Sequence, residues 1–222
     1  MIQSQLLLNI SKIKHGFGTI KEPIPHFLKN VWDKNKHKIS QSHEAHIKEI
    51  TIKNQEIKNI DGYFCKTSNL PIGVITADCV PILISHKDAT AIAALHSGWK
   101  GTLKNITAHC WNHLKVFDPN PKNWIVAIGP SIQNCCYQVG EEVSKLFIKK
   151  YHQYDVNLIT PFQQHLNLSG IIHQQCKEIG FINVDILTVC TQCSVLADKS
   201  HLLYSYRRNK TSLRQLSMII KN

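Results

Sequence analysis

Short runs of apolar and β-branched residues, separated by polar segments, fill much of the first half of the chain. Runs of this length and composition are typical of buried β-strands, and they predict strands at residues 47–53, 71–77, 80–85 and 90–96. The last three predicted strands almost touch in sequence. Parallel neighbours would need long crossover connections between them, so we expect consecutive strands of a sheet here.

A helical period begins directly after the last of these strands. Apolar residues at every third or fourth position predict an amphipathic helix over 101–117, and the same spacing predicts helices over 141–151 and 167–179. Further apolar runs predict strands at 124–128 and 183–189. Strands and helices therefore mix along the chain without the regular alternation of a doubly wound fold.

The length and composition fit one globular domain. The chain has 222 residues, of which 43% are hydrophobic and 18% are charged. A chain of this size buries enough surface to form a core without disulfides or a structural metal. No composition break marks a linker, so we predict a single α+β domain over residues 1–222, with a mixed β-sheet core and flanking helices.

The charge is strongly positive. Lys and Arg number 26 against 15 Asp and Glu, which gives a formal net charge of +11, and such an excess attracts anions. The lysines between Lys12 and Lys58 lie singly, and no basic run alternates with stacking aromatics. We interpret them as a solvated Lys-rich surface and not as a nucleic-acid interface. The same charge suits a small anionic substrate such as phosphate.

Nothing in the sequence predicts a membrane span. The longest uncharged stretch, residues 123–140, contains proline, glutamine and asparagine that hydrocarbon would not accept. The apolar run at residues 6–8 lacks the basic lead and the length of a signal peptide. We expect a cytoplasmic protein, whose eight cysteines are thiols or metal ligands rather than disulfides.

Two chemically reactive side chains lie at the ends of predicted strands. If the strands at 71–77 and 90–96 share a sheet, Cys79 and His96 come within ligand or proton-transfer distance. The alternative is a small buried thiol and a hydrogen-bonded structural histidine. Spacing alone leaves both interpretations open.

Two further features could bind an anion. Gly98 and Gly101 flank Trp99 in a turn directly before a predicted helix, where free backbone N–H groups can face a ligand. A purely structural turn is the alternative. Arg207 and Arg208 could hold phosphate or carboxylate in forked hydrogen bonds, or they could be two solvated arginines.

The remaining cysteine pairs do not predict a metal site. Cys190 and Cys193 have the spacing of half a zinc ribbon, but the other half would need a second spaced pair. Cys135 and Cys136 are adjacent and have no gap between them. We therefore expect no structural zinc ribbon.

Five motifs, in order, resemble the YfiH-type, laccase-domain family. They are Thr-Ala-Asp-Cys-Val-Pro at 76–81, His-Ser-Gly-Trp-Lys-Gly-Thr at 96–102, Ile-Gly-Pro-Ser-Ile at 128–132, Cys-Tyr-Gln-Val-Gly at 136–140 and Ser-Tyr-Arg-Arg at 205–208. The resemblance implies a zinc-dependent purine nucleoside phosphorylase that also deaminates adenosine. Older names of the family are polyphenol oxidase and laccase.

The resemblance also implies the metal ligands. The family binds zinc through the histidine of Gln-x-His, the cysteine of Thr-Ala-Asp-Cys and the histidine of His-x-Gly-Trp, which fall on His43, Cys79 and His96. His46, three residues further on, is the alternative at the first position. Two histidines and one thiolate leave a fourth position open, as in catalytic zinc sites. Copper is the alternative metal, because such ligands bind it more tightly.

The implied substrates are purine nucleosides and phosphate. Adenosine and inosine would give the free base and ribose 1-phosphate, and methylthioadenosine would give adenine and methylthioribose 1-phosphate. Gly98, Trp99, Arg207 and Arg208 are then the candidates for substrate contacts. Asp78, beside the thiolate, is the candidate for proton transfer to the leaving base, with support of a ligand histidine or of a turn as its alternative role.

Two other functions stay open at this point. A copper polyphenol oxidase would need several coppers, but none of the 13 histidines forms the His-x-His pairs of such enzymes. A metal-free cysteine hydrolase or amidase acting on cell-wall precursors would use Cys79 as nucleophile and His96 as base. Metal content separates this hydrolase from the zinc enzyme.

Overall fold

The strands form two sheets, as a computed structural model that describes all 222 residues shows. The strands are β1 Ile13–Phe17, β2 Ile47–Glu49, β3 Gly62–Cys65, β4 Ile72–Thr76, β5 Val80–His86, β6 Ile92–Ser97, β7 Trp124–Ile128, β8 Asn183–Ile186 and β9 Gln215–Lys221. The helices are α1 Gln5–Leu8, α2 His26–Asn35, α3 Trp99–Leu103, α4 Ile106–Leu114, α5 Glu141–Lys150, α6 Val156–Ile159, α7 Leu168–Ile179 and α8 Tyr206–Asn209.

The larger sheet is mixed, as predicted. Its six strands follow the order β2-β3-β6-β5-β7-β8. The outer pairs β2–β3 and β7–β8 are parallel, and the inner pairs are antiparallel. The smaller sheet is antiparallel, in the order β1-β9-β4. The prediction of an α+β fold with helices around a mixed sheet is confirmed.

One assumption about the sheets is wrong. The predicted strands at 71–77 and 90–96 do not share a sheet, because β4 pairs with β9 and β6 pairs with β5. The chain passes from one sheet to the other between β4 and β5, where Asp78 has a positive φ of 95°. Proximity of Cys79 and His96 instead results from β5, in which Pro81 lies opposite His96.

Burial on both faces explains the continuous apolar runs of the central strands. Successive side chains of a strand point to opposite faces. Ile82 and Ile84 of β5 therefore pack in a core that also contains side chains of α4 and α7, while Leu83 packs against Val74 and Ile219 of the smaller sheet. Helix α2 covers the far face of the smaller sheet.

The predicted helix over 101–117 is two helices. Asn105, between α3 and α4, adopts a left-handed conformation with φ of 57°, and its side chain accepts a hydrogen bond from the backbone N–H of Ala108 at 3.0 Å. This residue ends the helical path of α3 and caps α4. The apolar period continues through the break, which is why spacing alone predicted one helix.

Two predicted strands are shorter than expected. The strand at 47–53 ends at Glu49, because the next residues form a turn in which Gln55 accepts from the backbone N–H of Thr51 at 2.9 Å. The strand at 183–189 ends at Ile186. No helix is both long and apolar enough to cross a membrane.

Candidate metal centre and substrate cavity

Three potential metal ligands meet where β6 ends and β5 begins. The side-chain nitrogen and sulfur atoms of His43, Cys79 and His96 all lie within 4.8 Å of one another. His96 belongs to β6, Cys79 immediately precedes β5, and His43 lies in the segment before β2 with a φ of 60°. The structure thus brings together the three residues that the sequence motifs indicated.

The competing histidine lies outside this group. The ring of His46 is exposed, and its Nδ1 pairs with the backbone carbonyl of Asn59 at 3.2 Å. Of the two candidates, His43 is therefore the one close to Cys79.

A buried carboxylate holds both histidines in place. His96 Nδ1 donates to Asp61 Oδ1 at 2.8 Å, and the backbone N–H of His43 donates to the same oxygen at 2.9 Å. Asp61 Oδ2 accepts from the Glu44 backbone and the Ser42 hydroxyl. Burial opposes ionisation of Asp61, but His96 and the other donors outweigh it and hold the pKa of this carboxyl well below its usual range.

Sequence analysis did not identify Asp61. One carboxylate directly before an apolar strand is a common pattern, and its role depends on pairing with β6, which brings His96 beside it. Once the histidine is fixed through Nδ1, its Nε2 is free to face a ligand. A carboxylate behind a ligand histidine is a frequent arrangement at zinc sites.

The charges at this site favour a thiolate. Burial opposes ionisation of Cys79, but the adjacent His96 and His43 lower the pKa of the thiol. Burial opposes protonation of His96, but Cys79 and Asp61 raise its pKa. The thiolate is the form of cysteine that binds metals and acts as a nucleophile.

The residues present fit a zinc ion. Two imidazoles and one thiolate are typical zinc ligands, and three protein ligands leave a fourth tetrahedral position open. The backbone at Gly98 also keeps space for them, because a Cβ there would lie 3.1 Å from Cys79 Sγ and 3.4 Å from His43 Cδ2. A side chain at this position would crowd two of the ligands.

Two adjoining cavities share the candidate metal centre. Their volumes are about 310 and 610 Å³, within the range of small-molecule sites. Trp99, Ile132 and Tyr137 line both cavities, and the smaller cavity adds Leu168 and Lys100. The larger cavity has a basic wall formed by Arg207, Lys210 and Arg214.

The structure brings most predicted substrate contacts to these cavities. Gly98 and Trp99 line the smaller cavity, and Arg207 lines the larger one. Arg207 Nη1 donates to the Gln138 carbonyl at 2.6 Å, and its guanidinium lies 5.3 Å from the centre of the Tyr137 ring. The other donors of the Arg207 guanidinium make no hydrogen bond to the protein.

Arg208, the fourth predicted substrate contact, does not lie at the cavities. Its Nη1 donates to the carbonyls of Thr191 and Gln192 at 2.8 and 2.9 Å, and its Nη2 donates to the Leu203 carbonyl at 2.8 Å. The guanidinium is therefore occupied in holding two loops, and Arg208 does not line either cavity. Its predicted contact with phosphate has no support in these contacts.

Asp78 lines both cavities, but its carboxylate is already hydrogen-bonded. Oδ1 accepts from the Thr191 hydroxyl, and Oδ2 accepts from the Arg207 backbone N–H, both at 2.6 Å. These contacts fit the alternative role of supporting a turn. Proton transfer by Asp78 stays a prediction.

Sequence reasoning also missed the other basic residues of the larger cavity. Ser205 caps the short helix α8 by accepting from the Arg208 backbone N–H at 3.2 Å. The chain leaves α8 through Lys210, which has a left-handed φ of 52°. This turn brings Lys210 and Arg214 to the cavity that Arg207 lines. The one feature of the sequence that could have predicted this helix is Ser205, a typical N-cap residue three positions before Arg208.

Comparison with known proteins gives consistent matches over most of the chain. Residues 27–222 match the family described as "Multi-copper polyphenol oxidoreductase laccase". A purine nucleoside phosphorylase of Clostridium acetobutylicum is 37% identical over 169 residues, which cover 75% of this chain and 69% of that protein. The purine nucleoside phosphorylase YfiH of Escherichia coli is 27% identical over 183 residues, covering 82% and 72%.

The fold is also similar to solved structures. The crystal structure of the hypothetical protein YfiH from Bacillus licheniformis superimposes with a TM-score of 0.79 at 22% identity. The match covers 95% of this chain and 93% of that one. The two proteins therefore share the fold from end to end.

Proposed function

This chain belongs to the YfiH-type laccase-domain family, and we propose that it is a zinc-dependent purine nucleoside phosphorylase. Inosine and adenosine would react with phosphate to give the free base and ribose 1-phosphate, and methylthioadenosine is a further candidate substrate. The names of the curated relatives support this proposal. The relatives are named purine nucleoside phosphorylases despite the family's description.

One observation carries the proposal. The group of His43, Cys79 and His96 lies beside two adjoining cavities that share the aromatic side chains of Trp99 and Tyr137, and the larger of them has a basic wall. Aromatic side chains suit a purine, which is flat and apolar on its faces, and a basic wall suits phosphate, which is an anion. The reacting atoms of the two substrates would meet at the boundary between the cavities.

The residues of the larger cavity would bind phosphate. Arg207 has donors left after its bond to the Gln138 carbonyl, and Lys210 and Arg214 add positive charge. Arginine donors match the oxygens of a phosphate. Trp99 and Tyr137 in the smaller cavity would flank the purine, because aromatic rings stack on one another.

In phosphorolysis, a phosphate oxygen bonds to C1′ of the ribose as the bond from C1′ to the base nitrogen breaks. The base leaves with the electron pair of that bond and takes up the proton that the attacking hydrogen phosphate loses. Asp78 is the group we assign to this proton transfer. Asp61 fixes the orientation of His96. Zinc held by His43, Cys79 and His96 would supply a Lewis-acidic position for an oxygen ligand.

We also propose adenosine deamination as a side activity. Water adds at C6 of the adenine ring and ammonia leaves, which gives inosine. This reaction uses no phosphate. It therefore depends on the aromatic side chains and the metal centre but not on phosphate binding by Arg207, and the two activities can be separated by substitution.

The experiment is purine release from inosine and adenosine, with and without phosphate, on protein of measured zinc content. We expect hypoxanthine from inosine only when phosphate is present, and inosine from adenosine without phosphate. Base release that is equally fast without phosphate would contradict a phosphorylase.

A metal-free cysteine hydrolase is the second candidate. It is favoured by the relay of Asp61, His96 and Cys79, in which a carboxylate orients a histidine beside a thiol of lowered pKa. Nucleophilic cysteine enzymes use this arrangement. His43 favours the zinc enzyme, because a hydrolase has no need for a third ligand. Purified protein without zinc, whose Cys79 reacts readily with iodoacetamide, would support the hydrolase instead.

Polyphenol oxidation is named in the family's description but is not our proposal. Of the 13 histidines, only His43 and His96 lie in a group of three or more possible metal ligands. A laccase needs many more histidines around several coppers.

A further inference from the structure

A second group of possible metal ligands lies outside the candidate active site. Its four members, whose Sγ atoms all lie within 4.8 Å of one another, are Cys135, Cys136, Cys190 and Cys193. The first two lie in the loop after β7 and the other two in the loop after β8. None of the eight cysteines forms a disulfide.

The expectation that these pairs form no zinc ribbon did not anticipate that their four sulfurs come together. It rested on the missing gap between Cys135 and Cys136. β7 and β8 are parallel neighbours, so the loops after them leave the same edge of the sheet. Two backbone hydrogen bonds join the loops directly, from Ser131 N–H to the Val189 carbonyl at 3.2 Å and from Thr191 N–H to the Ser131 carbonyl at 3.0 Å.

The distances fit one tetrahedral ion. Cys135 Sγ lies 3.6 Å from Cys136 Sγ and 3.8 Å from Cys193 Sγ. Four sulfurs around zinc at about 2.3 Å are separated by about 3.8 Å. A disulfide needs about 2.05 Å, and a cluster of several irons needs its cysteines much further apart. The spacing therefore favours a single ion over either alternative.

The surroundings also suit a thiolate site. The backbone N–H of Gln133 donates to Cys190 Sγ at 3.5 Å, and such bonds stabilise metal-bound sulfur. Cys190 is buried, whereas Cys135 and Cys193 are exposed and line a cavity of about 470 Å³. An ion thus has access from solvent on one side and protein support on the other.

We propose that these four cysteines bind one structural zinc ion in four-thiolate coordination. The ion would join the loops after β7 and β8, which also carry parts of the candidate active site. Tyr137, next to Cys136, lines both cavities at the metal centre, and Thr191, next to Cys190, donates to Asp78. The second zinc would hold both loops in register without contacting a substrate. This site does not depend on the proposed phosphorylase activity.

The test is zinc content per chain, measured by mass spectrometry of the metal on full-length protein purified with a thiol reductant. We expect two zinc ions for the unmodified protein and one for Cys193→Ser. Cys79→Ser should also retain one, because it removes only the first site. Cys110→Ala is the matched control and should keep two zinc ions, because Cys110 is buried in α4 and belongs to neither group of ligands.

Cobalt in place of zinc identifies the type of ligand from the absorption spectrum. A tetrahedral four-thiolate cobalt site gives stronger thiolate-to-cobalt absorption than a site with one thiolate. We expect this spectrum in the unmodified protein and in Cys79→Ser, and its loss in Cys193→Ser. One zinc ion per chain without the four-thiolate spectrum would overturn the proposal. Intact mass showing a disulfide among these cysteines in the protein as purified would overturn it as well.

Discussion

A single histidine distinguishes the metal centre from a neighbouring surface group. His43 lies beside Cys79 and His96, whereas His46 points to solvent and pairs with a backbone carbonyl. We predict that His43→Ala loses the zinc of this centre and abolishes nucleoside cleavage, because two ligands hold zinc poorly. His46→Ala should keep both the zinc of this centre and the nucleoside cleavage. The measurements are zinc content and inosine cleavage of the two variants. Loss of zinc in His46→Ala but not in His43→Ala would show that His46 is the ligand.

At Asp78, the question is whether the carboxylate moves a proton or only supports its neighbours. Asp78→Asn can still accept from Arg207 N–H and can donate to the Thr191 hydroxyl, so the positions of both neighbours are retained. We predict that kcat for inosine phosphorolysis falls by about 10²–10⁴, the usual contribution of general acid–base catalysis, with zinc content unchanged.

Thr191→Val is the matched variant for that test. It removes the hydrogen bond to Asp78 Oδ1 and leaves the carboxyl in place. Near-normal kcat in Asp78→Asn combined with a large loss in Thr191→Val would assign Asp78 a purely supporting role.

The two adjacent arginines should behave differently. In Arg207→Lys the charge remains but the fork is lost, and one charge-assisted hydrogen bond contributes roughly 1.5–3 kcal/mol. We predict that KM for phosphate rises on the order of 10- to 100-fold, while adenosine deamination changes little.

Arg208→Lys is the control, because its guanidinium holds three carbonyls away from the cavities. This variant should lower thermal stability and leave KM for phosphate unchanged. If Arg207→Lys damages phosphorolysis and deamination equally, Arg207 does not act through phosphate.

Among the elements, the break between α3 and α4 rests on Asn105. Asn105→Ala loses the cap of α4 and places an alanine in a left-handed conformation. The lost cap costs about 0.5–2 kcal/mol and the conformation about 1–2 kcal/mol. We predict that the free energy of unfolding in urea falls by about 2 kcal/mol.

Asn105→Gly is the comparison, since glycine accepts the left-handed conformation and caps a helix almost as well. Asn105→Gly should lower the free energy of unfolding by less than half as much as Asn105→Ala does. Equal losses for the two variants would show that the conformation of Asn105 does not matter.

The elements also show what sequence could predict and what it could not. β5, β6 and β7 were predicted because burial on both faces makes them continuous apolar runs. The pairing of β4 with β9 could not be predicted. The two strands are about 140 residues apart in the sequence, and no local pattern indicates a pairing at that separation. The motifs identified Cys79 and His96, but Asp61 reaches them only through the pairing of β3 with β6. The four-cysteine group likewise needed the pairing of β7 with β8.

For the whole molecule, two buried histidines should make stability depend on pH. Burial lowers the pKa of His15 and of His37 to about 4. Each ring accepts a backbone N–H through Nε2, from Ser4 and from Gly73, which a protonated ring cannot do. In the unfolded chain both histidines titrate near 6.5.

The sign follows from which state takes up protons. Above pH 6.5 both histidines are neutral in the folded and in the unfolded chain, and their contribution to stability is fully present. As the pH falls from about 6.5 to about 4, the unfolded chain binds protons that the folded chain does not, so stability is lost across that window. We predict a falling urea midpoint between these pH values and a shallower fall in His37→Gln. An unchanged slope in that variant would contradict the assignment.

The measurement that tests the central claim most directly is the identity of the sugar product formed from inosine by the zinc-loaded protein. We predict one ribose 1-phosphate for each hypoxanthine released, at a rate that saturates with phosphate and disappears in His96→Ala. Free ribose as the product, formed at a rate independent of phosphate, would contradict the account.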